Sequence, residues 1–172
     1  MEIRLTKFVD HSSDRRVLLY LASPLGFTES TRTYMELLVG RLEHIPAVRV
    51  LNPWTLPEQT AATAQITLAS RNPEATTRLR LLHDAGDQIA AANERALRAT
   101  DLVVAVLDGT DVDSGTAAEV GFAAALGKPI FGLRTDMRRS GELEGLAVNL
   151  QVEWWITTSG GSSGWSASRR SM

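Results

Sequence analysis

Short, continuous apolar runs alternate along the chain with longer segments in which apolar residues recur every three or four positions. Runs that end at polar, Gly or Pro residues predict strands, and four of them are residues 17–22, 48–51, 101–107 and 129–133. Residues 152–156 predict one more strand. Helical spacing predicts helices over about residues 28–42, 79–97 and 116–126.

This alternation indicates a single α/β domain. The run at residues 101–107 is apolar almost throughout, which is typical of a strand buried on both faces of a parallel sheet. We therefore expect an open, mostly parallel sheet of about five strands flanked by helices, flavodoxin- or Rossmann-like, with ligands beyond the carboxyl ends of its strands. The domain is predicted over residues 16–157.

Three segments lack a steady period. Residues 1–15 are a polar N-terminal segment, and the Gly- and Ser-rich residues 158–172 predict a disordered tail. Residues 54–78, rich in Pro, Thr, Ala and Gln, predict a long loop that could include one helical turn. Loops of that length in compact domains are often functional.

Composition narrows the chemistry. The 172 residues are 44% apolar, and 18 Lys+Arg against 20 Asp+Glu give a net charge of -2, so no nucleic-acid partner is expected. The absence of cysteine excludes disulfides and thiolate chemistry. Without a secretory signal or an apolar run of the ~20 residues needed to span a bilayer, we expect a cytoplasmic protein without a membrane partner. The histidines, at positions 11, 44 and 83, share no metal-ligand spacing, so neither a metal nor a cofactor is expected.

Three loops follow predicted strands: residues 23–27, 108–115 and 134–139. The second places three aspartates, at positions 108, 111 and 113, before the helix that carries Glu119. From the residues alone, capping is the simpler interpretation, because Asp113 or Thr116 can cap the helix and Thr116 with Glu119 fits a capping box. The arginine-rich third loop is expected to be solvated, with internal ion pairs. Trp54, Trp154 and Trp155 are open to two interpretations, base stacking or packing in a core or interface.

Four segments in a fixed order resemble the nucleoside 2-deoxyribosyltransferase family. They are YLASPL at residues 20–25, DLVVAVL at 101–107, DSGTAAEVG at 113–121 and GKP at 127–129. The similarity extends over about residues 17–156. It implies a pentosyltransferase of nucleotide metabolism and base salvage, which transfers 2-deoxyribose between a deoxynucleoside and a free nucleobase without a cofactor.

The resemblance also implies roles for individual residues. Glu119 falls on the family's nucleophile position and would attack C1′ to form a covalent deoxyribosyl ester, as carboxylates do in retaining glycosidases. Tyr20 would orient this carboxylate, although a core tyrosine is the alternative. Asp113 would contact the 5′-hydroxyl or exchange a proton with the leaving base, and the alternative is a helix cap.

Further substrate contacts follow from the same resemblance. The implied residues are Ser23, Pro24, Leu25, Phe27, Asn93, Gly115, Thr116 and Asn149. Asn93 stands where many relatives have an aspartate, and an amide cannot serve as a carboxylic acid, so base preference and the route of base protonation stay open. Asn149 would be lent to a neighbouring subunit, which implies a homo-oligomer built from dimers.

Two other functions remain alternatives. The first is hydrolysis of nucleosides or nucleoside 5′-monophosphates, although Asp113 would repel a phosphate dianion. The second is a non-catalytic nucleotide-sensing module, because one fold hosts many functions.

Overall fold

A computed structural model of the protein describes residues 15–162. Its sheet consists of β1 (Val17–Ala22), β2 (Val48–Leu51), β3 (Leu102–Val106) and β4 (Ile130–Leu133). The strands lie in the order β2-β1-β3-β4, and every pair is parallel. The predicted parallel α/β sheet is thus confirmed, with four strands in the described part of the chain.

Five helices in the described part of the chain flank this sheet. They are α1 (Glu29–Glu43), α2 (Pro57–Ser70), α3 (Ala75–Ala99), α4 (Ser114–Ala125) and α5 (Leu150–Thr158). Two short 3-10 turns, Pro24–Gly26 and Pro53–Thr55, follow β1 and β2 directly. None of the helices within residues 15–162 combines the length and hydropathy that a bilayer-spanning segment requires.

The two faces of β1 belong to different hydrophobic cores, because successive side chains of a strand point to opposite sides. Leu19 and Leu21 pack with α1 residues such as Leu38. Tyr20 and Ala22 lie in the second core, with α3, α4 and α5. Tyr20 therefore faces the helix that begins after β3.

The predicted strand at residues 152–156 is wrong, because these residues form most of α5. Val152 and Ile156 are buried while Trp154 is exposed, so one helical face covers the core. The side chain of Asn149 caps this helix. A mostly apolar run of five residues is too short to separate the two periods, and the burial of positions four apart distinguishes them.

The predicted long loop at residues 54–78 is also wrong, because it contains the helix α2. Pro57 begins α2, a position where its missing N–H and fixed φ are tolerated. The residues that α2 buries are Ala62 and Ala69, and it packs along α3. Small buried alanines among Thr and Gln give almost no contrast between faces, which hid the helical period.

The predicted terminal segments fall mostly outside the described residues. Arg15 is described, and its guanidinium pairs with Asp101 at 2.5 Å. Of the predicted tail, residues 158–162 are described: Thr158 ends α5, and the carbonyl of Ser162 accepts the Gly132 N–H of β4 at 3.1 Å. His11 and residues 163–172 lie outside the described part.

Candidate active site

Tyr20 and Glu119, which are 99 positions apart, meet where α4 packs over β1. The phenol O–H of Tyr20 donates to Oε1 of Glu119 at 2.5 Å. Tyr20, in β1, is fully buried. Glu119, in α4, is half-buried at the border between the buried and the exposed face of the helix. No hydrogen bond within residues 15–162 engages the second carboxylate oxygen, Oε2. The pair therefore presents a carboxylate with one oxygen fixed and one free.

Burial controls the ionisation of both groups. Desolvation raises the pKa of Glu119 to about 7; the hydrogen bond from Tyr20 opposes this rise, and the nearby charge of Asp113 adds to it. Burial, followed by the charge and hydrogen bond of Glu119, raises the pKa of Tyr20 well above its ordinary value. Tyr20 therefore stays a proton donor in its hydrogen bond, while Glu119 changes charge near neutral pH.

Asp113 is the N-cap of α4, as the capping interpretation expects. Its Oδ2 accepts the N–H of Thr116 at 2.9 Å and the Thr116 hydroxyl at 3.2 Å. The capping box between Thr116 and Glu119 does not form, because Thr116 lies inside the helix and Glu119 reaches Tyr20 instead. Gly115 lies in the exposed first turn, where an added Cβ would be 3.2 Å from the Asp113 carboxylate.

The other two aspartates of this loop are each engaged elsewhere. Asp111 accepts the N–H of the adjacent Val112 at 2.7 Å. Asp108 reaches the loop after β4, where it accepts the N–H of Thr135 at 2.5 Å and the Thr135 hydroxyl at 2.7 Å. The three acids predicted to crowd one loop therefore meet backbone donors in three different places.

Arg134 makes the reciprocal connection. Its guanidinium donates to the carbonyl of Leu107 and to the carbonyl of Gly109 at 3.0 Å, so the loops after β3 and β4 are joined in both directions. Only part of the third loop matches the expected solvated ion pairs: Arg138 pairs with Asp136 at 2.5 Å and holds the pKa of that carboxyl far below its usual range. The bonds of Arg134 to the loop after β3 were not predicted from the sequence. The signal for them was an acidic residue, Asp108, and a basic residue, Arg134, each directly after one of two neighbouring strands.

The loop after β1 uses most of its polar groups internally. Ser23 and Leu25 are buried, Pro24 is half-buried, and the Ser23 hydroxyl accepts the N–H of Leu25 at 3.1 Å. Phe27 is the exposed member, with 67% of its surface accessible. The indole N–H of Trp54, in the turn after β2, donates to the Ser23 carbonyl at 2.9 Å and so links the two loops.

Asn93 and Asn149 differ in how much of each amide is engaged. The buried Oδ1 of Asn93, on α3, has no hydrogen-bond partner within residues 15–162. Asn149 is engaged at both ends: Oδ1 accepts the N–H groups of Gln151 (3.0 Å) and Val152 (3.3 Å), and Nδ2 donates to Glu142 at 2.5 Å. None of these bonds reaches Tyr20 or Glu119, so a role for Asn149 in a neighbouring subunit's site stays a prediction.

The remaining candidates are placed as follows. Trp154 is exposed on α5, and Trp155 packs against Gly121 of α4, where an added Cβ would lie 3.0 Å from the indole. Within the described range, 15–162, no three His, Cys, Asp or Glu side chains are placed to hold a metal ion.

Comparison with known proteins gives one family and a common fold. The model of the nucleoside 2-deoxyribosyltransferase family matches residues 19–151. A solved structure of a conserved protein from Enterococcus faecalis is similar at 24% identity and a TM-score of 0.59, covering 86% of this chain and 90% of that chain. A 2-desoxiribosyltransferase from Leishmania mexicana is similar at 24% identity and a TM-score of 0.54, covering 79% and 85%. No curated protein sequence gives a significant match.

Proposed function

The chain belongs to the nucleoside 2-deoxyribosyltransferase family, whose model matches most of its length, and we propose on that basis that it transfers 2-deoxyribose from a deoxynucleoside to a second free nucleobase. The observation that carries this proposal is the 2.5 Å hydrogen bond from Tyr20 to Glu119. Capping or surface solvation of Glu119 would require neither its burial nor a buried tyrosine as its partner. A carboxylate nucleophile requires both a defined orientation and an environment that favours attack over hydration.

In the proposed reaction, Oε2 of Glu119 attacks C1′ of the bound deoxynucleoside. The C1′–N bond breaks, its electron pair stays on the base, which takes up a proton to leave as the neutral nucleobase, and a deoxyribosyl ester of Glu119 forms. A nitrogen of the acceptor base then attacks C1′ and gives up its proton, which breaks the ester, returns the carboxylate and balances the proton taken up by the leaving base. Two inversions at C1′ give net retention, as in retaining glycosidases.

Tyr20 holds Oε1 throughout this cycle. Its hydrogen bond lowers the pKa of Glu119 against the larger effect of burial, so it favours the ionised form that attacks. Asp113, whose Oδ2 is committed to the helix cap, offers its other oxygen to the 5′-hydroxyl or to a proton of the base. Gly115 and Thr116 lie beside the capping oxygen Oδ2 at the start of α4, and we assign them further contacts with the substrate.

The base would lie between the loop after β1 and α3. On the loop side we assign the contacts to Ser23, Pro24, Leu25 and Phe27. On the helix side, the unpartnered Oδ1 of Asn93 supports an acceptor role toward an N–H group of the base, because a buried oxygen without a partner is costly.

The test is an exchange assay. The folded protein is incubated with a deoxynucleoside, with and without adenine, and products are separated by chromatography. A new deoxynucleoside that forms only when adenine is present supports transfer, and its absence from Glu119→Gln ties the reaction to the carboxylate. Free base and deoxyribose without exchange would instead establish hydrolysis, and no reaction would leave a sensing module.

A second measurement addresses the intermediate directly. With a deoxynucleoside and no acceptor, the intact mass of the protein should rise by the mass of one deoxyribosyl group. A digest should locate the added mass on the peptide that contains residue 119. Transfer without such an adduct in a rapidly quenched sample would argue for direct displacement.

Asn149 enters the proposal through a partner subunit. If its amide completes a neighbouring site, Glu119→Gln and Asn149→Ala should each be inactive alone but should form some intact sites when co-expressed. Those sites combine Glu119 from one variant with Asn149 from the other. Failure of the mixture to recover activity would confine Asn149 to the cap of α5.

A further inference from the structure

Trp54 belongs to the turn after β2, yet its indole lies on the loop after β1. Its N–H donates to the Ser23 carbonyl at 2.9 Å. A Cβ added at Gly26 would overlap the Cγ, Cδ2 and Cε2 atoms of the indole, so the ring lies directly against the Gly26 backbone. Only glycine leaves room for this approach.

The same indole also contacts Phe27. The two ring centroids are 4.6 Å apart with an interplanar angle of 78°, an edge-to-face arrangement that is favourable for aromatic pairs. Phe27 nevertheless has 67% of its surface exposed. A large apolar ring is thus held toward solvent on the loop that follows β1, with Trp54 as its aromatic neighbour.

The loop is fixed from its other side by α1. The Thr31 hydroxyl donates to the Leu25 carbonyl at 2.5 Å, and Nε of Arg32 donates to the Gly26 carbonyl at 3.1 Å. These two bonds act on the end of the loop next to α1. The Trp54 bond to Ser23 acts on the end next to β1, three residues after Tyr20.

Trp54 is itself held in place. The buried side chain of Asn52 accepts the Trp54 backbone N–H at 3.1 Å and caps its turn. The turn also contacts α2 and α3. The backbone at Trp54 is therefore held from the β2 side, outside the loop against which its indole packs.

We propose that Trp54 is a positioning residue, which fixes the Ser23–Phe27 loop so that the Phe27 ring forms a rigid wall for the bound base. This inference rests on the proposed function for its kinetic consequence but not for its structural one. Trp54 contacts the loop and acts through it, while Phe27 contacts the substrate. Loosening the loop should therefore weaken substrate binding more than it slows the chemical step.

The first test is Trp54→Phe, which keeps an aromatic ring and removes the indole N–H. Trp154→Phe is the matched control, because Trp154 is exposed on α5 and belongs to neither loop. Hydrogen exchange at the Leu25 and Phe27 amides, both hydrogen-bonded within the loop, should speed up about tenfold in Trp54→Phe, as expected for the loss of one hydrogen bond. In the assay of deoxyribose transfer between bases, KM should rise by a similar factor with kcat nearly unchanged. The control Trp154→Phe should change neither the amide hydrogen exchange nor KM.

The second test exploits the close approach at Gly26. Gly26→Ala should displace the indole and reproduce the faster amide exchange. In a Trp54→Ala background the same substitution should add little, because the obstructing ring is gone. Equal effects of Gly26→Ala in both backgrounds would overturn the proposal, as would unchanged loop exchange in Trp54→Phe. If the unmodified protein shows no turnover, the proposed function fails. The amide hydrogen-exchange rates still decide whether Trp54 orders the loop.

Discussion

Replacing Glu119 by glutamine should stabilise the protein at alkaline pH, because burial makes the ionised carboxylate unfavourable in the folded state. The pKa of Glu119 is raised from its ordinary value of 4.5 to about 7, with burial as the largest cause. Between these values the folded chain holds a proton on Glu119 that the unfolded chain has released. Stability therefore falls as pH rises through this window, and the penalty is complete above pH 7.

The magnitude follows from the proton affinity. Each tenfold change in affinity corresponds to about 1.4 kcal/mol, so the change from 4.5 to about 7 amounts to roughly 3 to 4 kcal/mol. Glutamine has nearly the same shape, stays neutral, and its carbonyl can still accept the Tyr20 hydroxyl. The variant should therefore match or fall slightly below the wild type at pH 4.5 and exceed it by up to this amount at pH 8.5.

Urea denaturation of both proteins at a series of pH values measures this difference. The free energy of unfolding of the variant minus that of the wild type is the useful quantity, because other titrating groups cancel in it. Glu36→Gln, on the exposed face of α1, is the matched control and should show no such rise. A difference that stays constant from pH 4.5 to 8.5 would refute a buried, perturbed carboxylate at position 119, whatever reaction the protein catalyses.

Three further variants probe the same neighbourhood. Tyr20→Phe removes the hydrogen bond that lowers the pKa of Glu119, so the acid limb of the transfer rate should move to higher pH and kcat should fall about ten- to hundredfold; an unmoved limb would contradict this. Asp113→Asn keeps a helix-capping side chain but removes a negative charge, so the same limb, read from kcat/KM profiles, should move to lower pH. Arg134→Met should lower the free energy of unfolding by about 2 to 3 kcal/mol, because it removes partly buried charge-assisted hydrogen bonds. Arg138→Met, which breaks an exposed ion pair, should cost clearly less in the same thermal or urea titration, and equal losses would mean that the link between the two loops is unimportant.

The sequence was most informative where one physical requirement dominated. Strand β3 is buried along its whole length, and only a continuous apolar run satisfies a strand covered on both faces, so it was predicted correctly. Helix α2 buries alanines, whose small apolar area hardly differs from that of the neighbouring threonines, so its period was not visible. Helix α5 is only nine residues long, too short for its burial pattern to separate a helical from a strand period.

Site residues divide along the same line. Each local partner of a loop residue, such as Thr116 for Asp113, lies within reach of sequence reasoning, because capping follows fixed spacings. Partners that come from different strands or loops cannot be identified in this way, because no fixed spacing along the chain relates them. The Trp54 bond to Ser23 joins positions 31 apart, and its glycine partner at position 26 was visible only as a break in the pattern.

Tyr20 and Glu119 are far apart along the chain, and the order of the strands in the sheet explains why their side chains meet. Strands β1 and β3 are neighbours, with Tyr20 opposite Val103, and a right-handed connection returns α4 over the sheet face that Tyr20 occupies. Because Tyr20 is buried in that face, its hydroxyl can approach a carboxyl on α4 only where water is largely excluded. The same packing that unites the pair therefore raises the pKa of Glu119, and a more basic carboxylate is a stronger nucleophile once it is ionised.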